Sequence, residues 1–414
     1  MKIISGLDIG NGYNKGMVRR VDKKGPDISI DIPSCTALIT NPVYTDLKNE
    51  DIREVVRDIT NQAELSFDSP LVKESIHRLI GKRAIGSGRP LDVFDVSSHQ
   101  SKAKQDLSGV LVLSNIACAA LKLYFEEHNE LPKETVKVES RISVALPISE
   151  YKKYRQDYRE NLMNSTHMVT IHNFEQRVRF EITFEDVQVL AEGEAAQYAI
   201  AVSGTTVINK MLSDCKEMSD LGDITAEDIL AATTIVGVDI GEGTVNFPVF
   251  DTKRSETSRI NTDISTSFAK GYGSVLERAL DRLSDENIAT FETRKNLTEF
   301  LQKTPSPIKR KTYDMVKTIV EEETISFVKE VVHEFIKISA RVGSELEVIY
   351  VYGGGSGPIR DMLYPALVDA EKNIGTDLPI LYLDSSYSRF LNRAGLLYVA
   401  DLLYKKTAEN QKSA

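Results

Sequence analysis

A short motif occurs twice in the chain, and that duplication limits the fold more than any other feature. The first copy reads Ile3-Ile4-Ser5-Gly6-Leu7-Asp8-Ile9-Gly10-Asn11-Gly12 and the second Thr234-Ile235-Val236-Gly237-Val238-Asp239-Ile240-Gly241-Glu242-Gly243. Both follow one pattern: apolar run, Gly, apolar residue, Asp, Ile, Gly, any residue, Gly. A further apolar run comes after each, Lys15 to Val18 and Val245 to Phe250. An apolar run, a glycine-rich turn and a second apolar run read as a β-hairpin. Each half of the chain is therefore expected to carry a hairpin whose first strand ends in Asp.

The chemistry of such a turn is specific. Glycine lets backbone N–H groups approach an anion closely, and successive N–H groups form an anion-binding concavity. An Asp beside that concavity makes sense when a cation is present too. Mg²⁺ fits, because it is held by one or two carboxylates, phosphate oxygens and retained waters. Either copy alone would read as an ordinary structural turn. Two near-identical copies, each opening a hairpin, point to phosphate binding. A third motif, Val348-Ile349-Tyr350-Val351-Tyr352-Gly353-Gly354-Gly355-Ser356-Gly357-Pro358, joins a strand-like run to a glycine turn and then to a helical pattern. In α/β sheets that junction is where nucleotides bind. It is neither a GxGxxG fingerprint nor a GxxxxGK(S/T) loop.

Together these motifs resemble the ATPase core shared by actin, Hsp70-type chaperones and sugar kinases. The chain is most similar to the bacterial actin-like proteins of the ParM group. The resemblance implies an α/β actin-like ATPase fold of two duplicated, RNase H-like domains flanking a nucleotide cleft. It implies ATP, or alternatively GTP, with Mg²⁺ held through water by Asp8 and Asp239. Gly10, Asn11, Gly12, Tyr13, Asn14 and Lys15 match the first phosphate loop, Gly241, Glu242, Gly243 and Thr244 the second, and Gly353, Gly354, Gly355 and Ser356 the adenosine loop. Asn11 stands where actin has Ser and Glu242 where actin has Asp. The family's water-positioning residue lies on the helix ahead of the second hairpin, and Glu192, six residues before Tyr198, has the family's spacing. Glu194 is the rival.

The 414-residue length suggests two to four domains at roughly 100–200 residues each. The resemblance divides the chain into residues 1–195, with a small inserted subdomain over about 35–105, residues 196–385, and a returning C-terminal helix over 386–414. Coarse periodicity predicts helices over 109–128, 274–283, 313–341 and 390–404, and a strand from Val136 to Leu146 running into Pro147. Arg177 to Ile182 reads as a strand, and Phe184 to Leu190 as the approach to the Glu192 helix. Residues 204–230 read as polar and partly helical. Residues 303–311, with Lys309-Arg310-Lys311, read as a loop, and Lys405 to Ala414 as a frayed tail.

A net charge of −10 makes the chain a poor partner for bare DNA or anionic lipid. Its three cysteines form no CxxC pair, in keeping with a reducing cytoplasm. The most apolar stretch, Gly109 to Phe125, is broken by Ser114, Asn115 and Lys122 and reads as a buried helix, not a membrane span. His167 and His172 do not read as a metal pair.

The expected function is a cytoplasmic filament-forming ATPase that polymerises with nucleotide and disassembles after hydrolysis. The resemblance implies plasmid DNA segregation, with copies of the same chain and a DNA-binding adaptor as partners and no direct DNA or membrane binding. The alternative is a non-polymerising, sugar-type small-molecule kinase or a scaffold of the same superfamily. A kinase base would have to come from Asp92, Asp95 or Asp106. A chaperone would need a substrate-binding β-domain after the ATPase core.

Overall fold

The first repeat forms its expected hairpin: β1 (Lys2–Ile9) pairs antiparallel with β2 (Tyr13–Arg20), placing Asp8 directly opposite Lys15. The computed structural model describes residues 1–40, 49–73, 77–95, 101–251, 259–375 and 377–412, and the backbone alone at 49–50, 259, 385–386 and 407–412. The chain divides into two compact units, Met1–Ala199 with Phe390–Ala414, and Ile200–Arg389.

The first unit is built on one sheet. Its other strands are β3 (Ile28–Pro33), β4 (Cys35–Ile39), β5 (Glu64–Asp68), β6 (His77–Ile80), β7 (Asp92–Val93), β8 (Val136–Leu146), β9 (Thr166–Ile171) and β10 (Val178–Ala191). The order is β3-β2-β1-β8-β10-β9-β5-β6-β4-β7. Strands β8 and β10 run parallel to β1 and to each other, so the ends of β1, β8 and β10 lie at the same edge of the sheet. Strand β10 is longer than expected. Phe184 does not end it, because a bulge between Phe184 and Asp186 absorbs the irregularity. Asp186 stabilises the bulge by accepting from its neighbour's Val187 N–H at 2.9 Å and from Arg159 at 3.1 Å.

Both faces of this sheet are covered. On one side lies the helix Asp106–His128, in which every residue from Leu107 to Leu121 is buried. It is long and apolar enough to cross a membrane by length and composition, yet it packs inside the unit's core. A helix that is apolar all round must be buried on all sides. Its start carries Asp106, which accepts from the Lys73 backbone N–H at 3.0 Å, and its end is capped by Asn129 in the left-handed region. On the other side the helix Leu391–Lys412 packs Leu397 and Ala400 on Ile4, and Leu396 and Val399 on Ala145, Leu190 and Ala195. This approach requires small residues. A Cβ on Gly6 would overlap the Leu397 backbone, and one on Gly395 would overlap the carbonyl of Ala195. The polar end expected to fray from Lys405 instead stays helical to Lys412.

The second unit repeats the hairpin. Strand β11 (Thr234–Ile240) pairs antiparallel at its end with β12 (Val245–Phe247) and at its start with β13 (Val249–Asp251). The single apolar run expected from Val245 to Phe250 is split at Pro248, which has no N–H to give a ladder but whose carbonyl accepts from Gly237 at 2.8 Å. Strands β14 (Arg259–Ile260), β15 (Thr266–Phe268), β16 (Val348–Tyr352) and β17 (Ile380–Tyr382) complete the sheet, with β16 parallel to β11 and β17 parallel to β16. The helix Arg310–Val342 seals it with Phe327, Val331, Phe335 and Ile338. Its N-terminal half joins the helices Tyr272–Asp285 and Arg294–Gln302 in a smaller core around Leu276, Leu297 and Ile319. The basic run Lys309-Arg310-Lys311 is not a loop. A 3₁₀ turn, Pro307–Lys309, leads directly into the long helix at Arg310, with Pro307 at a position where its missing N–H costs nothing. Residues 204–230 form the helices Thr205–Met218 and Ala226–Ala231, the latter opened by a Thr225/Asp228 capping box.

Candidate functional site

In the first unit the site grows from the end of β1. Gly10 follows the strand closely against the turn: a Cβ there would lie 2.5 Å from the Tyr13 carbonyl oxygen. The Gly12 carbonyl accepts from Ser34 N–H at 3.0 Å, which ties the turn to the next strand pair. Asn11, Gly12, Tyr13 and Lys15 are all at least partly accessible. Asn14 is different. It is 0% exposed, and its amide nitrogen and oxygen find no hydrogen-bond partner among the described residues. Its side chain therefore points into the unit, and only its backbone faces the turn's chemistry.

Asp8 is the electrostatic centre of this turn. Burial pushes its carboxyl above the usual carboxylate range, and the nearby Glu192 carboxylate adds to the rise. Lys15, Lys102 and a hydrogen bond from the Asn392 side chain pull it back. Glu192 thus comes to the same place as Asp8, carried there by the parallel pairing of β10, β8 and β1. Its position corrects one expectation. It does not lie on a helix: β10 ends at Ala191, Gly193 adopts φ +84°, and the helix begins at Glu194. The Glu192 N–H donates to the Leu146 carbonyl at 2.7 Å, beside Pro147, which fixes this turn to the end of β8. Glu194 is buried and its carboxylate accepts from Ala191 N–H at 2.9 Å. The two glutamates are therefore different in kind: Glu194 caps the turn, and Glu192 faces the Asp8 cluster.

One residue of the cluster carried no sequence signal. Lys102 comes from the 3₁₀ turn Lys102–Lys104, and its ammonium lies 3.1 Å from Glu192 Oε1. Of the three acids weighed as kinase bases, Asp92 and Asp106 have their carboxylates engaged elsewhere, and Asp95 is tied through its backbone. Asp92 pairs with Arg78 at 2.9 Å, Asp106 accepts from Lys73, and the Asp95 backbone N–H donates to Gln105 at 3.0 Å.

In the second unit, three segments converge at the ends of the parallel pair β11 and β16. Asp239 is buried at the end of β11, where together with desolvation its charge holds the Tyr352 hydroxyl well above the usual tyrosine range. The turn Gly241–Thr244 closes with the Gly241 N–H donating to Thr244 O at 2.9 Å. Gly353 has φ +98°, and a Cβ there would lie 2.5 Å from Asp239 Oδ1, so only glycine fits this close approach. Gly355 N–H donates to the Ile240 carbonyl at 2.8 Å, and Ser356 is buried, its hydroxyl donating to Gly353 O at 2.8 Å. Gly354 is exposed. The third segment is Gly271-Tyr272-Gly273. Tyr272 N–H donates to Gly241 O at 3.0 Å and Gly273 N–H to Glu242 O at 2.9 Å, so the start of the Tyr272–Asp285 helix rests on the second turn. Arg294, also unmarked in the sequence, pairs with Glu242 at 2.9 Å and Glu277 at 3.2 Å.

Residues 6–194 match the family model described as the actin like proteins N terminal domain, and residues 237–364 match the C-terminal model of the archaeal actin homologue MreB-like proteins. The chain is an actin-like protein. Solved structures agree. The actin-like protein Alp7A superposes with a TM-score of 0.65, covering 100% of both chains at 15% identity. Bacillus thuringiensis ParM with ATP superposes at 0.60, covering 97% of this chain and 99% of that one at 16% identity. A ParM subunit from the 15-stranded filament of Clostridium botulinum superposes at 0.58, with 97% and 99% covered at 17% identity. At such identities the likeness shows the fold, which is that of the ParM-type actin-like proteins. No curated protein sequence matches the chain.

Among the described residues no group of three or more His, Cys, Asp or Glu side chains is placed to hold a metal ion. The donors that are present nonetheless fit Mg²⁺. Each unit offers one hard carboxylate beside its own glycine turn, Asp8 in the first and Asp239 in the second, and a single carboxylate is enough for Mg²⁺ when phosphate and water complete its shell.

Proposed function

We propose that this actin-like chain binds and hydrolyses ATP and assembles into filaments that segregate plasmid DNA in the cytoplasm, through a DNA-binding adaptor. The observation that carries the ATPase reading is the cluster at the end of β1. There a glycine turn, a carboxylate, two lysines and the Glu192 carboxylate come together. The filament reading is supported by the fold's likeness to a ParM that forms filaments.

In this reading the backbone of Gly10–Lys15 and of Gly241–Thr244 binds phosphate oxygens, and Gly353–Ser356 binds the adenosine. Asp8 and Asp239 are the residues that would hold Mg²⁺ through water, and the ion would supply charge to neutralise the phosphates. Lys15 adds a fixed positive charge opposite Asp8. Glu192 accepts a hydrogen bond from the attacking water and orients it. Phosphoryl transfer asks for little more than such positioning and electrostatics. Asn11 and Glu242 keep polar character at the tips of both turns.

Asp8→Ala tests the metal and nucleotide role. The affinity for ATP measured with Mg²⁺ is expected to fall by tenfold or more, on the order of 1.4 kcal/mol. The affinity measured in excess chelator should change much less. Equal affinity of mutant and wild type with Mg²⁺ would remove Asp8 from the site.

A further inference from the structure

Lys102 belongs to neither hairpin nor to β10, yet its ammonium reaches the same cluster. The residue is 5% exposed. A lysine so buried is costly unless its charge is paired. Here it lies 3.1 Å from Glu192 Oε1, close enough to Asp8 to lower that carboxyl, and 5.5 Å from the centre of the Phe94 ring. The turn that carries it is pinned. Ser101 accepts from Ala103 N–H at 3.2 Å and donates to Glu150 Oε2 at 2.5 Å, and the Lys104 ammonium sits 4.4 Å over the Tyr154 ring. Glu150 and Tyr154 both lie on the helix Ile148–Met163, which directly follows β8 and Pro147. Lys102 is thus anchored on the structure that also anchors Glu192, through the Leu146 carbonyl.

We propose that Lys102 is a positioning residue that holds the Glu192 carboxylate in its water-orienting place. The charges around the turn are two carboxylates, Asp8 and Glu192, and two ammonium groups, Lys15 and Lys102. Without Lys102, Glu192 would face the like charge of Asp8 with less to offset it and would turn away. A displacement of about 1 Å at such a site costs on the order of 10²-fold in rate. The proposal rests on the reading of Glu192 as the water-orienting residue.

The test uses the full chain and follows phosphate release together with nucleotide affinity. Lys102→Met keeps the length and removes the charge. It is expected to lower kcat at least tenfold with the nucleotide Kd within about threefold of wild type, and Lys102→Arg should restore most of the rate. In a Glu192→Gln background, Lys102→Met should add no further loss, because residues acting as one unit are not additive. Lys102→Gln carries the same test should the Met variant fail to fold, as judged by circular dichroism. The proposal is overturned if kcat is unchanged, if the loss appears in Kd instead, or if the two substitutions multiply. No phosphate release from the wild type would instead defeat the underlying ATPase reading, and a normal rate for Glu192→Gln alone would defeat the reading of Glu192 as the water-orienting residue.

Discussion

Replacing Glu192 by Gln is expected to slow phosphate release by on the order of 10²-fold while leaving nucleotide affinity within about threefold. The amide keeps the shape and one acceptor but loses the charge that draws and aligns a water proton. It also loses the ionic partner of Lys102, 3.1 Å away. Binding is spared because the phosphate groups are assigned to the two glycine turns and the lysine on β2. Glu194→Gln serves as the contrast. Its side chain keeps an oxygen that accepts from Ala191 N–H, so its effect should fall on stability and not on turnover. Single-turnover phosphate release and nucleotide titration separate the two. If hydrolysis alone loosens the polymer, filaments of Glu192→Gln should outlast those of the wild type, since a ligand shifts an equilibrium only through its differential affinity for the two states. A Glu194 effect on turnover with none at Glu192 would reverse the assignment.

Gly395→Ala is expected to destabilise the first unit severely. The helix Leu391–Lys412 approaches the turn after β10 so closely that a Cβ on Gly395 would overlap the Ala195 carbonyl. The obstacle is backbone on both sides, so no rotamer relieves it. The helix must lift away, loosening Leu396 and Val399 from Ala145, Leu190 and Ala195. Overpacking of this kind costs about 3 kcal/mol. For a unit of this size that is a fall in Tm of roughly 6–12 °C. The same substitution at Gly86, where a Cβ meets nothing within 4 Å, should shift Tm hardly at all. Thermal unfolding of both variants checks the contrast, and equal stability would mean the helix does not seat as described.

Much of the fold was legible because it rests on local chemistry. The two hairpins follow from glycine between apolar runs, and strand β8 begins at Val136 and ends at Leu146 as its pattern implies. The long helix from Arg310 follows from apolar residues at helical spacing, although its start is hidden under a basic run that resembles a loop. Spacing singles out Glu192 as the candidate but places it on a helix, whereas it lies in the turn between β10 and the helix from Glu194. The stretch Ala191-Glu192-Gly193-Glu194-Ala195 reads as helix, and only the positive φ of Gly193 shows the break. The division of labour between Glu192 and Glu194 was not legible at all, because it depends on which carboxylate bends back to the Ala191 N–H. Lys102 and Arg294 were invisible for a related reason. Each is one lysine or arginine among many, and its partner lies far off in sequence. Asn14 shares the turn motif with its neighbours, yet strand alternation points its side chain inward.

In the proposed function, nucleotide controls assembly of this chain. Sedimentation with ATP, GTP, ADP and a non-hydrolysable triphosphate analogue, with phosphate release followed in parallel, tests it most directly. The expected result is pelleting with ATP that precedes phosphate release and reverses after it, persistent pelleting with the analogue, and little with ADP. Nucleotide binding and turnover with no pelleting at any protein concentration would contradict it.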